Sequence, residues 1–139
     1  MTGIDRQVLV EQLLRHEAYR RHPYRCSSGR LTCGIGRNLE DRGITLKEAI
    51  YLLNNDIDDF AAQLTKALPW VGGLSPVRQS VLVNMAFNMG LQNLLKFSRM
   101  LAALRAGNYA EAADEMLDSR WAQQVRQRAI ELARQMEVG

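Results

Sequence analysis

Histidine and cysteine are scarce in this chain of 139 residues, with two of each, and there are only three prolines. The shortage of ligating side chains weighs against a metal centre. His16 and His22 lie six apart and share no helix face. Adding Cys26 gives His-x5-His-x3-Cys, which matches no zinc spacing, where three or more ligands are needed. Pairing Cys26 with His22 as a thiol nucleophile leaves no third, orienting residue in evidence. Gly34-Ile35-Gly36 has neither the third glycine of a dinucleotide loop nor the lysine of a phosphate loop. No run of about 18 apolar residues is present to cross a bilayer. The first residues lack the basic-then-apolar order of a secretory signal. There is no internal repeat and no low-complexity stretch. The expectation is a protein with no metal, no cofactor, no signal peptide and no stable membrane insertion.

What is present is ordinary for a globular chain: 47% hydrophobic and 24% charged residues, enough to bury a core as one domain or as two small lobes sharing a helix. The net charge is +3, and fifteen of the 18 basic residues are arginine. They are spread along the chain, as solvated helix faces are. The mild excess favours an anionic partner without separating nucleic acid from bacterial wall. Two cysteines without a signal peptide do not make a disulfide the default. In a strand over 31–35, Leu31, Cys33 and Ile35 share one face, so Cys33 is expected to pack as a small core residue. Cys26, on the opposing arm, is expected to point elsewhere.

Periodicity and punctuation place the elements. Asp5 caps a helix over 5–18 in which Leu9, Leu13 and Glu17 fall at i, i+4, i+8, widened by Val10 and Leu14. His22-Pro23 ends any helix. A hairpin from Tyr24 to Ile35 closes around Ser27-Ser28-Gly29, and Gly34 and Gly36 mark a bend or a close approach. Residues 40–43 read as a polar loop. Thr45 and Glu48 form a capping box for a helix over 46–67, with Ile50, Leu53, Ile57, Phe60 and Leu64 on one face. Ser75-Pro76 starts a helix to Met89, apolar nearly all round and stopped by Gly90. Shorter helices follow over 91–96, 99–106 after Ser98 and 109–117 after Asn108, and a last one over 120–137. The fold class is α+β, mostly α.

The chemistry centres on Glu17. It extends the apolar stripe of its helix, next to a sharp turn. A carboxyl group in such surroundings stays protonated near neutrality and can donate to a leaving oxygen. Glycoside hydrolysis uses such an acid, with a second group to handle water or stabilise the oxocarbenium ion.

The stretch from Glu17 through Tyr24, Cys26 and Thr32 to Gly34-Ile35-Gly36 resembles the motif of the phage-type lysozymes of the T-even family, glycoside hydrolase family 24. Asn84-Met85-x-Phe87-x-Met89-Gly90, Phe97, Ser119-Arg120-Trp121, Gln124 and Arg128 continue the likeness in order and with compatible spacing. The resemblance implies a two-lobed lysozyme-like fold, a single domain whose N-terminal lobe covers about 17–60. The C-terminal helical lobe covers about 68–139, with helix 5–17 packed on it. It implies hydrolysis of the β-1,4 bond between N-acetylmuramic acid and N-acetylglucosamine in bacterial peptidoglycan. Glu17 is then the general acid, Thr32 holds the attacking water, and Arg128 anchors Glu17. Tyr24, Gly36, Arg37, Phe87 and Gln124 support the site or the substrate. Arg37 stands where the family often has histidine, and the loop after it is shorter.

Cys26 stands where the family pattern has aspartate. Its thiolate can accept a proton or stabilise positive charge, and Arg25 and Arg30 are expected to favour that ionised form. Three outcomes are open: Cys26 acts as base or nucleophile; Glu17 and Thr32 suffice for a single-acid lytic transglycosylase; or the protein is a lysozyme-shaped binder with little turnover. For an active enzyme the resemblance implies a monomeric phage endolysin that accumulates in the host cytoplasm. It would reach the periplasmic wall through a separate holin-type pore protein, with tail-associated use as the other deployment. The rival from outside catalysis is a helical binding protein whose arginines contact nucleic acid or wall polymer.

Overall fold

The structure, a computed structural model, describes residues 3–139. The chain divides into two compact units, Met1–Ile50 and Tyr51–Gly139.

The first unit opens with α1, Arg6–Glu17, where the Asp5 side chain accepts from the Val8 N–H at 3.2 Å. None of its residues is buried, so the stripe of Leu9, Leu13 and Glu17 is exposed. Ala18, at φ 61°, ends the helix by donating its N–H to Leu14 O. The chain then enters a three-stranded antiparallel sheet of order β1-β2-β3, with β1 Arg20–Arg25, β2 Leu31–Gly34 and β3 Arg37–Asn38. Strand β1 begins four residues before the expected hairpin and contains Pro23. It can, because β1 is an edge strand whose pairing to β2 slips between Arg20 and Tyr24, where no ladder donor is required. The 40–43 segment is a helical turn, α2 Leu39–Arg42, because Asn38 caps it by accepting from the Asp41 N–H at 3.0 Å. Cys33 is not a core residue. It is half-buried, with its sulfur over the carbonyls of Arg20 and Arg21, and the buried member of β2 is its neighbour Thr32 on the other face. Both cysteines are free thiols.

The capping box forms as spaced: Thr45 N–H donates to Glu48 Oε1 at 2.9 Å, and Glu48 N–H to Thr45 Oγ1 at 3.2 Å. It opens α3, Leu46–Ala67, which runs through the division between the units.

The second unit is helical. A 3-10 turn, Pro69–Gly73, leads to α4 Pro76–Met89, capped by Ser75 and ended at Gly90, then α5 Leu91–Leu95, α6 Ser98–Arg105 and α7 Tyr109–Leu117. Ser98 is the first residue of α6, not its cap. Helix α4 is buried along one side (Val81, Leu82, Met85, Ala86). Val77 and Phe87 are exposed, so it is not apolar and covered all round. The expected single helix over 120–137 is two, α8 Arg120–Val125 and α9 Gln127–Val138, broken at Arg126 with φ 46°. The reason lies in anchors on either side of the break. Trp121 in α8 donates Nε1–H to Asn88 Oδ1 at 2.8 Å, while Arg128 in α9 donates to Asn84 Oδ1 at 3.1 Å. A kink lets both reach α4. The core collects Met85, Leu94, Met100, Leu104, Met116 and Met136. Arg78 closes the C-terminal end of α9, donating to Met136 O and Glu137 O beneath the Tyr109 ring. No helix among the described residues is long and apolar enough to cross a membrane.

Candidate functional site

In the first unit, Glu17 ends α1 and its side chain lies against Gly36, past the end of β2. A methyl group on Gly36 would sit 2.9 Å from Glu17 Oε2, so the glycine is required for the approach that the Gly34-Ile35-Gly36 spacing anticipates. Glu17 is exposed, not desolvated by the stripe it continues.

At the other end of the hairpin, Cys26, Tyr24 and Thr32 are brought together by register. Tyr24 pairs with Thr32 across β1 and β2, and Cys26 follows β1 into a tight turn. That turn is closed by Gly29 N–H donating to Cys26 O at 2.8 Å and Cys26 N–H to Arg30 O at 3.0 Å, with Gly29 at φ 81° supplying the left-handed residue. The Cys26 sulfur lies 3.0 Å from Ser28 Oγ. The Cys26 pKa is lowered from 9.0 to about 7, first by the Ser28 hydroxyl, then by the backbone N–H groups of Arg30 and Ser28 and the Thr32 side chain. The arginine charges expected to do this are engaged elsewhere. Arg25 Nη1 and Arg30 Nη1 both donate to Glu40, at 2.8 and 3.0 Å. Thr32, only 3% exposed, donates its single hydroxyl hydrogen either to Arg30 O at 2.9 Å or to the sulfur, leaving its lone pairs for another donor. Tyr24 is half-buried under the Arg20 guanidinium, 4.3 Å from ring centre. Arg37 serves the scaffold: it pairs with both oxygens of Glu48 and donates to Gly43 O at 3.2 Å, tying β3 to the start of α3. That pairing and the Thr45 N–H hold the Glu48 pKa down at about 2.

In the second unit, Arg128 and Phe87 line a cleft of about 670 Å³ whose other walls include Leu53, Ile57, Val83 and Asn84. Phe87 meets Phe60 edge-on at 5.8 Å. Among the described residues only Asn84 accepts a hydrogen bond from Arg128, at Nε, which leaves the outer edge of the guanidinium open to the cleft. Gln124 is exposed on α8. Among the described residues no group of three or more His, Cys, Asp or Glu is arranged to hold a metal ion.

The pattern that defines phage lysozymes matches residues 14–137, nearly the whole chain. The chain belongs to the phage lysozyme family. Three relatives illustrate its range. The pre-baseplate central spike protein of Enterobacteria phage T4 is 35% identical over 100 residues, 68% of this chain and 17% of the relative. A probable T4-type lysozyme 1 of Dictyostelium discoideum is 35% identical over 66 residues, 48% and 39% of the two chains. The SAR-endolysin of Escherichia phage Mu is 32% identical over 102 residues, 71% and 57%. The matches therefore take in less than two thirds of each relative's length.

Three residues take roles that the sequence does not assign to them, although Asn84 stands in the family-like run. Glu40 gathers the arginines of the hairpin, Asn84 holds Arg128, and Asn88 holds Trp121. Asn84 lies in the run that resembles phage lysozymes, so a polar residue on a largely apolar helix was the available signal. Glu40 had none, being one more charge in a polar segment.

Proposed function

We propose that this phage lysozyme family member hydrolyses the β-1,4 bond between N-acetylmuramic acid and N-acetylglucosamine in bacterial peptidoglycan. In this reading it is a monomeric endolysin that reaches the periplasmic wall from the host cytoplasm through a separate pore protein. Glu17 protonates the glycosidic oxygen as the bond to the anomeric carbon breaks. A water held by Thr32 attacks that carbon and gives a proton to the Cys26 thiolate, leaving a reducing end and a free hydroxyl.

The observation that carries the reading is the environment of Cys26. Hydrogen-bond donors converge on its sulfur, at the position of the family's aspartate, so near neutral pH it is divided between thiol and thiolate. The phage Mu relative's name supports use as an endolysin, and the central spike relative's name supports a second deployment in a phage baseplate.

Clearing of a peptidoglycan suspension tests the reading. The wild type is expected to clear it, Glu17→Gln to lose at least about 10²-fold, and Cys26→Asp to retain or raise the rate while Cys26→Ala falls. New reducing ends are expected. Anhydro ends would mark a transglycosylase, no clearing a binder, and full activity in Cys26→Ala would remove Cys26 from the chemistry.

A further inference from the structure

We propose that Glu40 is the positioning residue of the hairpin tip: its carboxylate ties the two arms of the Cys26–Gly29 turn together, so that donors from Ser28, Arg30 and Thr32 stay converged on the Cys26 sulfur. The inference rests on the reading of Cys26 as a reacting group. Glu40 lies on α2, ten or more residues from the arginines it holds. Its Oε1 accepts from Arg25 Nη1 at 2.8 Å and from the Leu31 N–H at 3.5 Å, and its Oε2 accepts from Arg30 Nη1 at 3.0 Å. Arg25 is the last residue of β1 and Leu31 the first of β2. One carboxylate therefore grips both arms where the turn leaves them. Arg25 Nη1 also donates to Gly29 O at 3.1 Å, and Arg30 Nε lies 3.5 Å from Asp41. A two-stranded tip has little stability of its own in water. The groups that donate to the sulfur lie in the turn, at Ser28, or within three residues after it, at Arg30 and Thr32.

An exposed ion pair is commonly a minor contributor to stability, so stability does not separate positioning from decoration. The thiol does. Losing Glu40 has two opposed effects on it. The released arginine charges favour the thiolate, while a loosened turn withdraws hydrogen bonds and disfavours it. At about 0.5 M salt the screening length shrinks to roughly 4 Å, which suppresses the first effect and leaves the second.

The experiment is iodoacetamide alkylation of the full chain against pH in that salt, following the Cys26 peptide by mass spectrometry so that Cys33 does not contribute. The wild-type midpoint is expected near 7. In Glu40→Ala it is expected to rise by at least about one pH unit, lowering the Cys26 rate at neutral pH about fivefold. Glu40→Gln, which keeps an acceptor, is expected to fall between the two. The double variant Arg25→Met/Arg30→Met removes the grip while retaining the apolar stems, and is expected to shift as Glu40→Ala does, which covers the case in which Glu40→Ala does not fold. A wild-type midpoint at the ordinary thiol value, or a midpoint unmoved by these variants, overturns the proposal. The titration reads the hairpin whether or not the protein cleaves peptidoglycan, so a failed clearing assay and a failed titration are distinct results.

Discussion

Replacing Gly36 by alanine puts one methyl carbon against the carboxylate on which the proposed chemistry depends. That carbon would lie 2.9 Å from Glu17 Oε2 and 3.1 Å from both Cγ and Cδ. Ordinary contact begins near 3.4 Å, so the Glu17 head must retreat by about 0.5 Å. The backbone adds a second cost. Gly36 has φ 69°, a region where a residue with a Cβ loses roughly 1–2 kcal/mol. Gly34 separates the two effects: it has φ 70°, and nothing lies within 4 Å of the methyl it would carry. Both alanine variants are expected to lose about 1–2 kcal/mol in urea denaturation. Only Gly36→Ala displaces Glu17.

A misplacement of about 1 Å costs on the order of 10²-fold in rate, so half that distance is expected to cost roughly tenfold. The assay is clearing of peptidoglycan by the two variants side by side, with kcat and KM determined separately. Gly36→Ala is expected to fall about tenfold below Gly34→Ala in kcat, with KM little changed. Equal kcat in the two would refute the reasoning. It would mean that Glu17 works from a position that the Gly36 methyl does not obstruct.

Two further outcomes follow from local geometry. The Glu48 pKa is depressed to about 2 by Arg37 and Thr45, so its contribution to stability is present above the ordinary carboxylate value of 4.5 and is lost as pH falls through about 2. Urea midpoints at about pH 5 and pH 2.5 are expected to differ less in Glu48→Gln than in the wild type, and an identical difference would contradict the pairing. Arg126→Gly relieves a positive φ at the junction of α8 and α9. Glycine's extra freedom in the unfolded chain offsets part of the gain, so a net stabilisation of about 0.5 kcal/mol is expected by chemical denaturation, and a loss would mean that the Arg126 side chain supports the kink.

The elements that could be read were those whose signals are local. Asp5, Thr45 with Glu48, and Ser75 with Pro76 each carry their helix start within three residues, and Gly90 carries a stop. The break at Arg126 was not legible because neither glycine nor proline marks it. It exists because Trp121 and Arg128 are both held to α4, at separations of 33 and 44 residues. Cys33 misled for a similar reason. Strand alternation placed it correctly opposite Thr32, but alternation does not say which face is covered, and here the covered side is that of the threonine.

Cys26 shows how the same limit bears on the site. Arg25 and Arg30 flank it in sequence, and counting nearby charges makes them the natural source of an acidic thiol. A charge acts on its neighbour only to the extent that it is not already neutralised, and Glu40 takes both guanidinium groups. What remains is hydrogen bonding from the turn itself, with the Ser28 hydroxyl first. This follows from the chemistry of the exchange. A carboxylate at the tip would be ionised at neutral pH without help, since its ordinary pKa is near 4, whereas a thiol near 8.5 would not. A thiol in that place has to bring its donors with it. Ser28 supplies the first of them, with Arg30 and Thr32 just beyond, and the left-handed Gly29 winds the chain back toward the sulfur. Cys26 and Ser28 are thus parts of one device, and Ser28→Ala is expected to impair the thiol form while leaving a Cys26→Asp form largely untouched.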